Sequence, residues 1–267
     1  MEPALRWLAD HYEKQPSLKV AAQSCGLGEG QFQRLFDRWM GLSTKHPAQF
    51  LSLDQAKQCL IEHRGWLDAT YEAYRTSANR LDDCSVSITC LSPEDYKTRG
   101  EDLRIYYGFH ETPFSECGLA AVDGRVCSLE FNLAGNHDAT LTRMKQGYEK
   151  AQWVSNPTLT GHLAECVFGP CTAPLTILLR GTTFEVKVWD ALLSIPMGAI
   201  SDYADLAHRI GHTGSHRAVG RAVAKNVIAY LVPCHRVIRK SGQLGGYRWG
   251  LGRKLAMLTR EQHSALC

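Results

Sequence analysis

The chain has 267 residues, 44% of them apolar, and a formal net charge of +3. That length holds two or three domains, and that composition fills packed cores. No apolar run approaches the roughly 18 residues that span a bilayer, and the start, with Glu2, Pro3, Arg6 and Asp10, has no signal-peptide core; no membrane partner and a cytoplasmic location (nuclear in a nucleated cell) are expected. The ten cysteines include no CxxC pair, which suits reduced thiols better than a disulfide framework or a zinc site. Charge is segregated: residues 176–267 carry 13 Lys and Arg against 5 Asp and Glu, residues 1–99 carry 12 against 13, and residues 100–175 carry 5 against 9. A basic segment of that kind is either a solvated surface or one that meets a polyanion such as nucleic acid.

Leu5, Leu8 and Tyr12 recur at helical spacing and predict a helix over 3–14, ended by Pro16. Ser17 is a good N-cap for a second helix over 18–24, Gly26 makes a turn, and a third helix covers 29–40. In that third helix Phe32, Leu35, Phe36 and Trp39 form one apolar face, with Gln31, Gln33, Arg34 and Arg38 largely elsewhere. Helix, glycine turn and polar-faced helix is the helix-turn-helix pattern. With Gly41-Leu42-Ser43 behind it, the stretch 20–50 resembles the DNA-binding domain of AraC-type regulators. The resemblance implies a second such unit over 67–97, closing on Leu91-Ser92-Pro93-Glu94-Asp95-Tyr96, with Asp82 and Asp83 unfavourably placed for phosphates. A helical bundle kept for stability or contacts is the alternative, because a net charge of −1 gives little grip on phosphates.

Thr98-Arg99-Gly100-Glu101-Asp102 is a polar boundary. After it, 103–109, 118–122 and 125–131 predict strands, and Asp123-Gly124 predicts a tight hairpin between the last two. A small antiparallel sheet is expected, with a helix over 139–154 stopped before Pro157 and a returning strand over 175–179. No catalytic cluster stands out here, so the region reads as a supporting domain.

From Thr182 helical spacing returns in Phe184, Val188 and Leu192, beside Trp189. Ile195-Pro196-Met197-Gly198 is a turn, and Ser201 or Asp202 caps a helix reaching Ile210. Gly211 and Gly214 break the chain before a helix over 215–225, which offers His216, Arg217, Arg221 and Lys225. A flap rich in turns surrounds Tyr247, with Gly242, Gly245 and Gly246, and a last helix covers 251–261. His208, His212 and His216 have the spacing of a helical metal pair, but the two glycines interrupt the helix and no acidic partner lies between them. No metal and no cofactor are expected.

Tyr230-Leu231-Val232 leads into Pro233, then Cys234, His235 and Arg236. A thiol is nucleophilic as thiolate, and basic neighbours lower its ordinary value of about 8.5. The pair alone reads equally as a buried cysteine with surface His and Arg beside it.

Four pieces turn that balance: Ser201-Asp202-Tyr203 with Leu206-Ala207; Arg217-Ala218-Val219-Gly220 with Asn226; Pro233-Cys234-His235-Arg236-Val237; and Gly245-Gly246-Tyr247-Arg248-Trp249-Gly250-Leu251 with Lys254 and Glu261. In order and at this spacing they resemble the O6-alkylguanine-DNA alkyltransferases (methylated-DNA–protein-cysteine methyltransferases). With the AraC-type region in front, the arrangement is Ada-like, without the zinc-binding cysteine domain that accepts methyl from phosphotriesters, so that repair is not expected. Val227, Thr183 and Ser115 stand where the family commonly has Pro, Pro and Gly.

The resemblance implies a multi-domain, mainly α chain with an α+β part. An AraC-type helical DNA-binding domain would cover 1–99, a small ribonuclease-H-like α/β subdomain 100–180, and a winged-helix-like alkyltransferase subdomain 181–267. It implies single-turnover, irreversible transfer of the alkyl group from O6-alkylguanine (and O4-alkylthymine) in double-stranded DNA to Cys234, by a monomer. His235 would act as general base through a water, Glu261 would orient it, and Asn226 would tie the recognition helix to the active-site turn. Arg217 would fill the space left by the extruded base, and Tyr203 would crowd the adjoining phosphate and interact with the departing base. Ser215, Ala218 and Arg221 would also touch DNA, and Val237, Tyr247, Arg248 and Trp249 would line the base pocket. Two other functions are weighed: a sequence-specific transcription regulator using the core as a damage sensor, against which the presence of Cys234 argues, and a cysteine hydrolase, for which no oxyanion-hole signal exists.

Overall fold

The computed structural model describes residues 18–32, 34, 80–81, 84–92, 96–132, 135–169 and 173–266. At the front, α1 (Leu18–Ser24) is followed by a turn through Gly26 at φ +68°, and residues 29–32 are helical again. The expected helix over 3–14, most of 33–40 and most of the second helix-turn-helix unit lie outside the described residues.

Part of that second unit is described, and over 80–81 and 84–90 it is strand, not helix. Residues 80–81 (β1) and Cys84–Cys90 (β2) are strands, and β2 pairs in parallel with β7 (Leu175–Leu179), Val86 opposite Leu175 and Cys90 opposite Leu179. The large sheet therefore begins before residue 100. The alternation of Val86, Ile88 and Cys90 with small polar residues is a period of two, rich in β-branched side chains, and that local preference wins. Tyr96 then lies under the Arg180 guanidinium, 4.4 Å from its ring centre.

Among the described residues the sheet has seven strands, in the order β1, β2, β7, Arg125–Phe131 (β5), Cys117–Val122 (β4), Arg104–His110 (β3) and Gln152–Ser155 (β6). The expected strands are present as β3 (Arg104–His110), β4 (Cys117–Val122) and β5 (Arg125–Phe131), with β4 paired antiparallel to both of the others. Asp123 and Gly124 both take positive φ, as a primed hairpin turn requires. The sheet is mixed rather than small and antiparallel, because β2 and β5 each run parallel to β7 and β6 (Gln152–Ser155) runs parallel to β3.

The helix expected over 139–154 is a second correction. Its first part is α2 (His137–Met144), capped by Asn136; the chain then turns through Gly147 and becomes β6. Pro157 starts a helix instead of stopping one. It opens α3 (Pro157–Phe168), with Asn156 as N-cap accepting from Leu159 N at 3.1 Å. Proline suits the first helical position because the amide it lacks is unpaired there anyway.

β4 and β5 are buried along nearly their whole length. One face packs Ile105, Ala120, Val122, Met144 and Leu178; the other packs Leu119, Leu129 and Phe131 against the C-terminal helices. Those are α4 (Thr183–Leu193), α5 (Tyr203–Arg209), α6 (His216–Ala224) and α7 (Leu251–Leu266). Thr182 and Glu185 close a reciprocal capping box at the start of α4. β8 (Ser201–Asp202) and β9 (Val237–Ile238) form a short parallel pair, and Leu129 bridges Ile228. The result is an α/β fold of one sheet with helices. Among the described residues no helix is long and apolar enough to cross a membrane.

Candidate active site and nucleic-acid interface

Pro233 caps a single 3-10 turn, Cys234–Arg236, which runs straight into β9. Cys234 is 6% exposed. Asn226, just past the C-terminal end of α6, reaches this turn. Its Nδ2 donates to Val232 O at 3.0 Å, to Ile228 O at 3.2 Å and to Cys234 Sγ at 3.2 Å, while its Oδ1 accepts from Ile228 N at 2.9 Å. Asn226 thus links the end of α6 to the turn that carries Cys234.

His235 and Glu261 meet as expected: Nε2 lies 2.7 Å from Glu261 Oε1, with both side chains buried. Arg236 grips the same carboxylate with two nitrogens, Nε to Oε2 at 2.8 Å and Nη2 to Oε1 at 2.9 Å, and donates to Ile195 O at 2.6 Å. Burial works to raise Glu261, but Arg236 and His235 outweigh it and hold the carboxyl at about 2. An ionised carboxylate can only accept, so His235 Nε2 carries its proton and Nδ1 is the basic nitrogen. Nδ1 is buried and has no hydrogen-bond partner within the protein. Burial lowers the imidazole below its ordinary value, with Arg236 and Lys254 adding to that and Glu261 opposing it; the ring is neutral near pH 7.

The thiol itself departs from expectation. Burial raises Cys234 above the ordinary cysteine value, and Asn226, Lys254 and Arg248 pull it back only in part. The basic neighbours in sequence are not among the groups that lower it: the Arg236 guanidinium and His235 Nε2 are turned to Glu261. The nearby charge comes from Lys254, which is fully buried and donates from Nζ to the carbonyls of Val237 and Leu244. Burial lowers Lys254 to about 8, and the thiolate opposes that.

Tyr203 opens α5 behind the N-cap Asp202. It is held between α6 and the glycine flap: a Cβ on Gly220 would lie 3.7 Å from its Cδ1, and one on Gly245 3.4 Å from its Oη. Gly245 has φ +69°, so that position needs glycine. On α6, Val219, Ala222 and Val223 face the core, while Arg217 and Arg221 are exposed and Ala218 is half-buried. Ser215 stands at the N-cap without a capping hydrogen bond from its side chain. Lys225, expected with these basic residues, is instead ion-paired to Glu185.

The expected base-pocket residues separate into lining and support. Tyr247 is half-buried, with its Oη 3.5 Å from Met257 Sδ. Arg248 donates to Glu130 Oε1 at 3.1 Å, and Glu130, fully buried on β5, also accepts from Arg143 Nε at 2.8 Å. Val237 and Trp249 are buried, and Trp249 backs Tyr247, ring centres 5.3 Å apart. Sequence reasoning gave no role to Lys254 or Glu130, and saw Arg236 only as a basic neighbour of the thiol. For Lys254 a signal existed: seven residues before Glu261, it shares a helix face with it across two turns.

The chain's similarities accord with this geometry. Residues 183–263 match the family model described as 6-O-methylguanine DNA methyltransferase, DNA binding domain. The Escherichia coli bifunctional transcriptional activator/DNA repair enzyme Ada is 30% identical over 253 residues, covering 92% of this chain and 70% of that protein. The chain belongs to the methylated-DNA–protein-cysteine methyltransferase family, in its Ada-like form. Another member, the Mycobacterium tuberculosis methylated-DNA–protein-cysteine methyltransferase, is 41% identical over 143 residues, covering 50% of this chain and 86% of that protein. Among solved structures, Mycobacterium tuberculosis OGT in complex with DNA is 32% identical and covers 60% of this chain and 93% of that one, with a TM-score of 0.47.

Proposed function

We infer that this Ada-like methyltransferase repairs DNA directly, moving the alkyl group of O6-alkylguanine irreversibly onto Cys234, one group per molecule. The observation that carries the reading is the array Asn226–Cys234 and His235–Glu261–Arg236 behind an exposed basic helix. The lesion sits in the base stack, so the nucleotide is swung out at a cost of about a few kcal/mol. Arg217 fills the gap, Tyr203 crowds the adjoining phosphate, and Ser215, Ala218 and Arg221 hold the backbone. Tyr247 and Arg248 face the flipped base.

The sulfur attacks the alkyl carbon in line. The S–C bond forms as the C–O6 bond breaks, and the purine leaves in its keto form. The thiol proton passes through a water to His235 Nδ1, whose tautomer Glu261 fixes; a proton returns to the purine, so the net transfer is from sulfur to base. Burial keeps the resting thiol protonated, and Lys254, Arg248 and the Asn226 amide stabilise the thiolate once it forms. A thioether is inert to water, so the enzyme is spent after one event. O4-alkylthymine fits the same chemistry.

The domain reading is an AraC-type helical front, a ribonuclease-H-like α/β part and a winged-helix-like catalytic part, with the sheet taking in 84–90. A second role in transcription is favoured by the likeness to Ada over nearly the whole chain. Selecting duplexes from a random pool with the full chain, before and after alkylation, tests it: enrichment of one sequence supports regulation, and no enrichment removes it.

The test of the main reading is a duplex bearing O6-methylguanine labelled in the methyl group. Label should appear on the peptide holding Cys234, one per chain, and Cys234→Ala should take none. No transfer by the unmodified protein sinks the reading.

A further inference from the structure

Tyr230 lies four residues before the nucleophile with φ +63°. A bulky side chain rarely tolerates the left-handed region, and such a conformation persists only where its surroundings over-determine it. Here the surroundings are aromatic. The buried Tyr230 ring is nearly parallel to the His235 imidazole, with ring centres 5.9 Å apart and planes 9° apart. It also stacks on Phe168, the last residue of α3, at 5.1 Å, and packs against Phe114 in the β3–β4 loop at 5.3 Å. The backbone just ahead of it is pinned to the sheet, since Ala229 N donates to Leu129 O at 2.8 Å and Leu129 N donates to Val227 O at 3.0 Å.

We propose that Tyr230 is a positioning residue which fixes the plane of the His235 imidazole, so that the sheet domain sets the geometry of the base. The inference rests on the reading of His235 as general base. The hydrogen bond from Nε2 to Glu261 anchors one point of the ring and leaves it free to pivot about that point. The charged groups around the imidazole are Glu261, Arg236 and Lys254; they set its protonation and not its plane. A parallel aromatic face removes the remaining freedom, and it also keeps water off the face of the ring that it covers. Phe114 and Phe168 hold that face in register. An aliphatic side chain at 230 would fill the volume and leave the pivot open.

The experiment measures the single-turnover rate constant on an O6-methylguanine duplex across pH 5–9 for the full chain, Tyr230→Phe, Tyr230→Leu and Phe168→Leu, with the melting temperature of each. Phe should keep both the rate and the position of the acid limb. Leu should lose about tenfold in rate, the factor an aromatic pair of this kind is worth. Its acid limb should also move up towards the ordinary imidazole value, because the ring becomes wet. Phe168→Leu, which loosens Tyr230 from behind, should move the limb the same way by less. A merely structural Tyr230 would lower the melting temperature and leave the limb in place, and that result overturns the proposal. If Tyr230→Leu does not fold, an unmoved limb in Phe168→Leu overturns it equally. Failure of the unmodified chain to transfer label, or a rate without an acid limb, would instead sink the reading of the site.

Discussion

The Asn226 amide donates to the sulfur of Cys234 at 3.2 Å while tying down the carbonyls of Ile228 and Val232. A donor aimed at sulfur stabilises thiolate over thiol, and here it is fixed by the segment that carries the nucleophile. Asn226→Ala should slow alkyl transfer by roughly 10- to 100-fold, the worth of one hydrogen bond to a charged acceptor. Asn226→Asp keeps the shape and sets a carboxylate beside the sulfur, so it should be slower still. Rate constants on one duplex decide this; an Asp variant as fast as the unmodified chain would mean that sulfur gains no charge on the way to product.

Glu261 is the shared counter-charge of two buried bases. Glu261→Gln keeps the volume but strips Arg236 and His235 of their carboxylate, and breaking a buried pair costs about 3 kcal/mol or more. The carboxyl is held at about 2, below its ordinary range, so its stabilisation is complete above about pH 4.3 and is lost as pH falls from there through the folded value. Denaturant unfolding of the unmodified chain should weaken across that window, and the Gln variant should lack that part of the slope. The Gln amide can also present a donor to Nε2, which would favour the wrong tautomer, so alkyl transfer should drop with it.

The catalytic half was largely legible because its signals are local. Turn glycines, the Asp202 cap and the apolar spacing of α4 and α6 agree with the packing they enter. The errors fall where local patterns were ambiguous or the partner was distant. Val86, Ile88 and Cys90 alternate plainly, yet their strand is completed by Leu175–Leu179, nearly ninety positions on. Pro157 reads as a breaker until Asn156 is seen capping ahead of it. In the site, no sequence rule says that Arg236 turns inward to Glu261 while its neighbour Cys234 is left to burial and to Lys254. In the sequence Tyr230 is only the first of three residues leading into Pro233, and its backbone angle and the ring beside it are what set it apart.

Lys254 should write its own limb on the rate profile. Its ammonium is held at about 8 by burial, so raising the pH through that value removes the positive charge that most favours the thiolate. The rate should fall on the alkaline side near pH 8. Lys254→Met should be slower at pH 7 and should lack that limb. It should also be less stable, since the carbonyls of Val237 and Leu244 lose their donor at about 1–3 kcal/mol for each group left buried and unpaired. A Met variant with the same alkaline limb would assign that limb to another group.

Arg217 and Arg221 are both exposed on α6, but their assigned tasks differ and so should their loss. Arg221→Ala should lower the slope of log affinity against log salt by about 1, as one phosphate contact is removed. Arg217→Ala should slow repair in duplex more than in single-stranded DNA, where no gap in the stack needs filling, and should leave reaction with the free alkylated base unchanged. Equal slowing on all three substrates would place Arg217 in structure rather than in base extrusion.

Ser115 occupies φ +91°, a conformation suited to glycine. Thr112 holds its backbone, with Oγ1 donating to Ser115 O and its carbonyl accepting from Ser115 N at 3.2 Å, and Arg253 holds its side chain, Nη2 donating to Ser115 Oγ at 2.7 Å, while Arg253 Nε donates to Phe114 O at 3.0 Å. Ser115→Ala keeps the backbone strain and removes the hydrogen bond, and should cost about 1.5–3 kcal/mol. Ser115→Gly loses the same bond but relieves the strain, so it should be the more stable of the two by about 1 kcal/mol. That gap corresponds to a difference of about 2–4 °C in melting temperature for a domain of this size. Equal melting temperatures would mean the backbone there is unstrained.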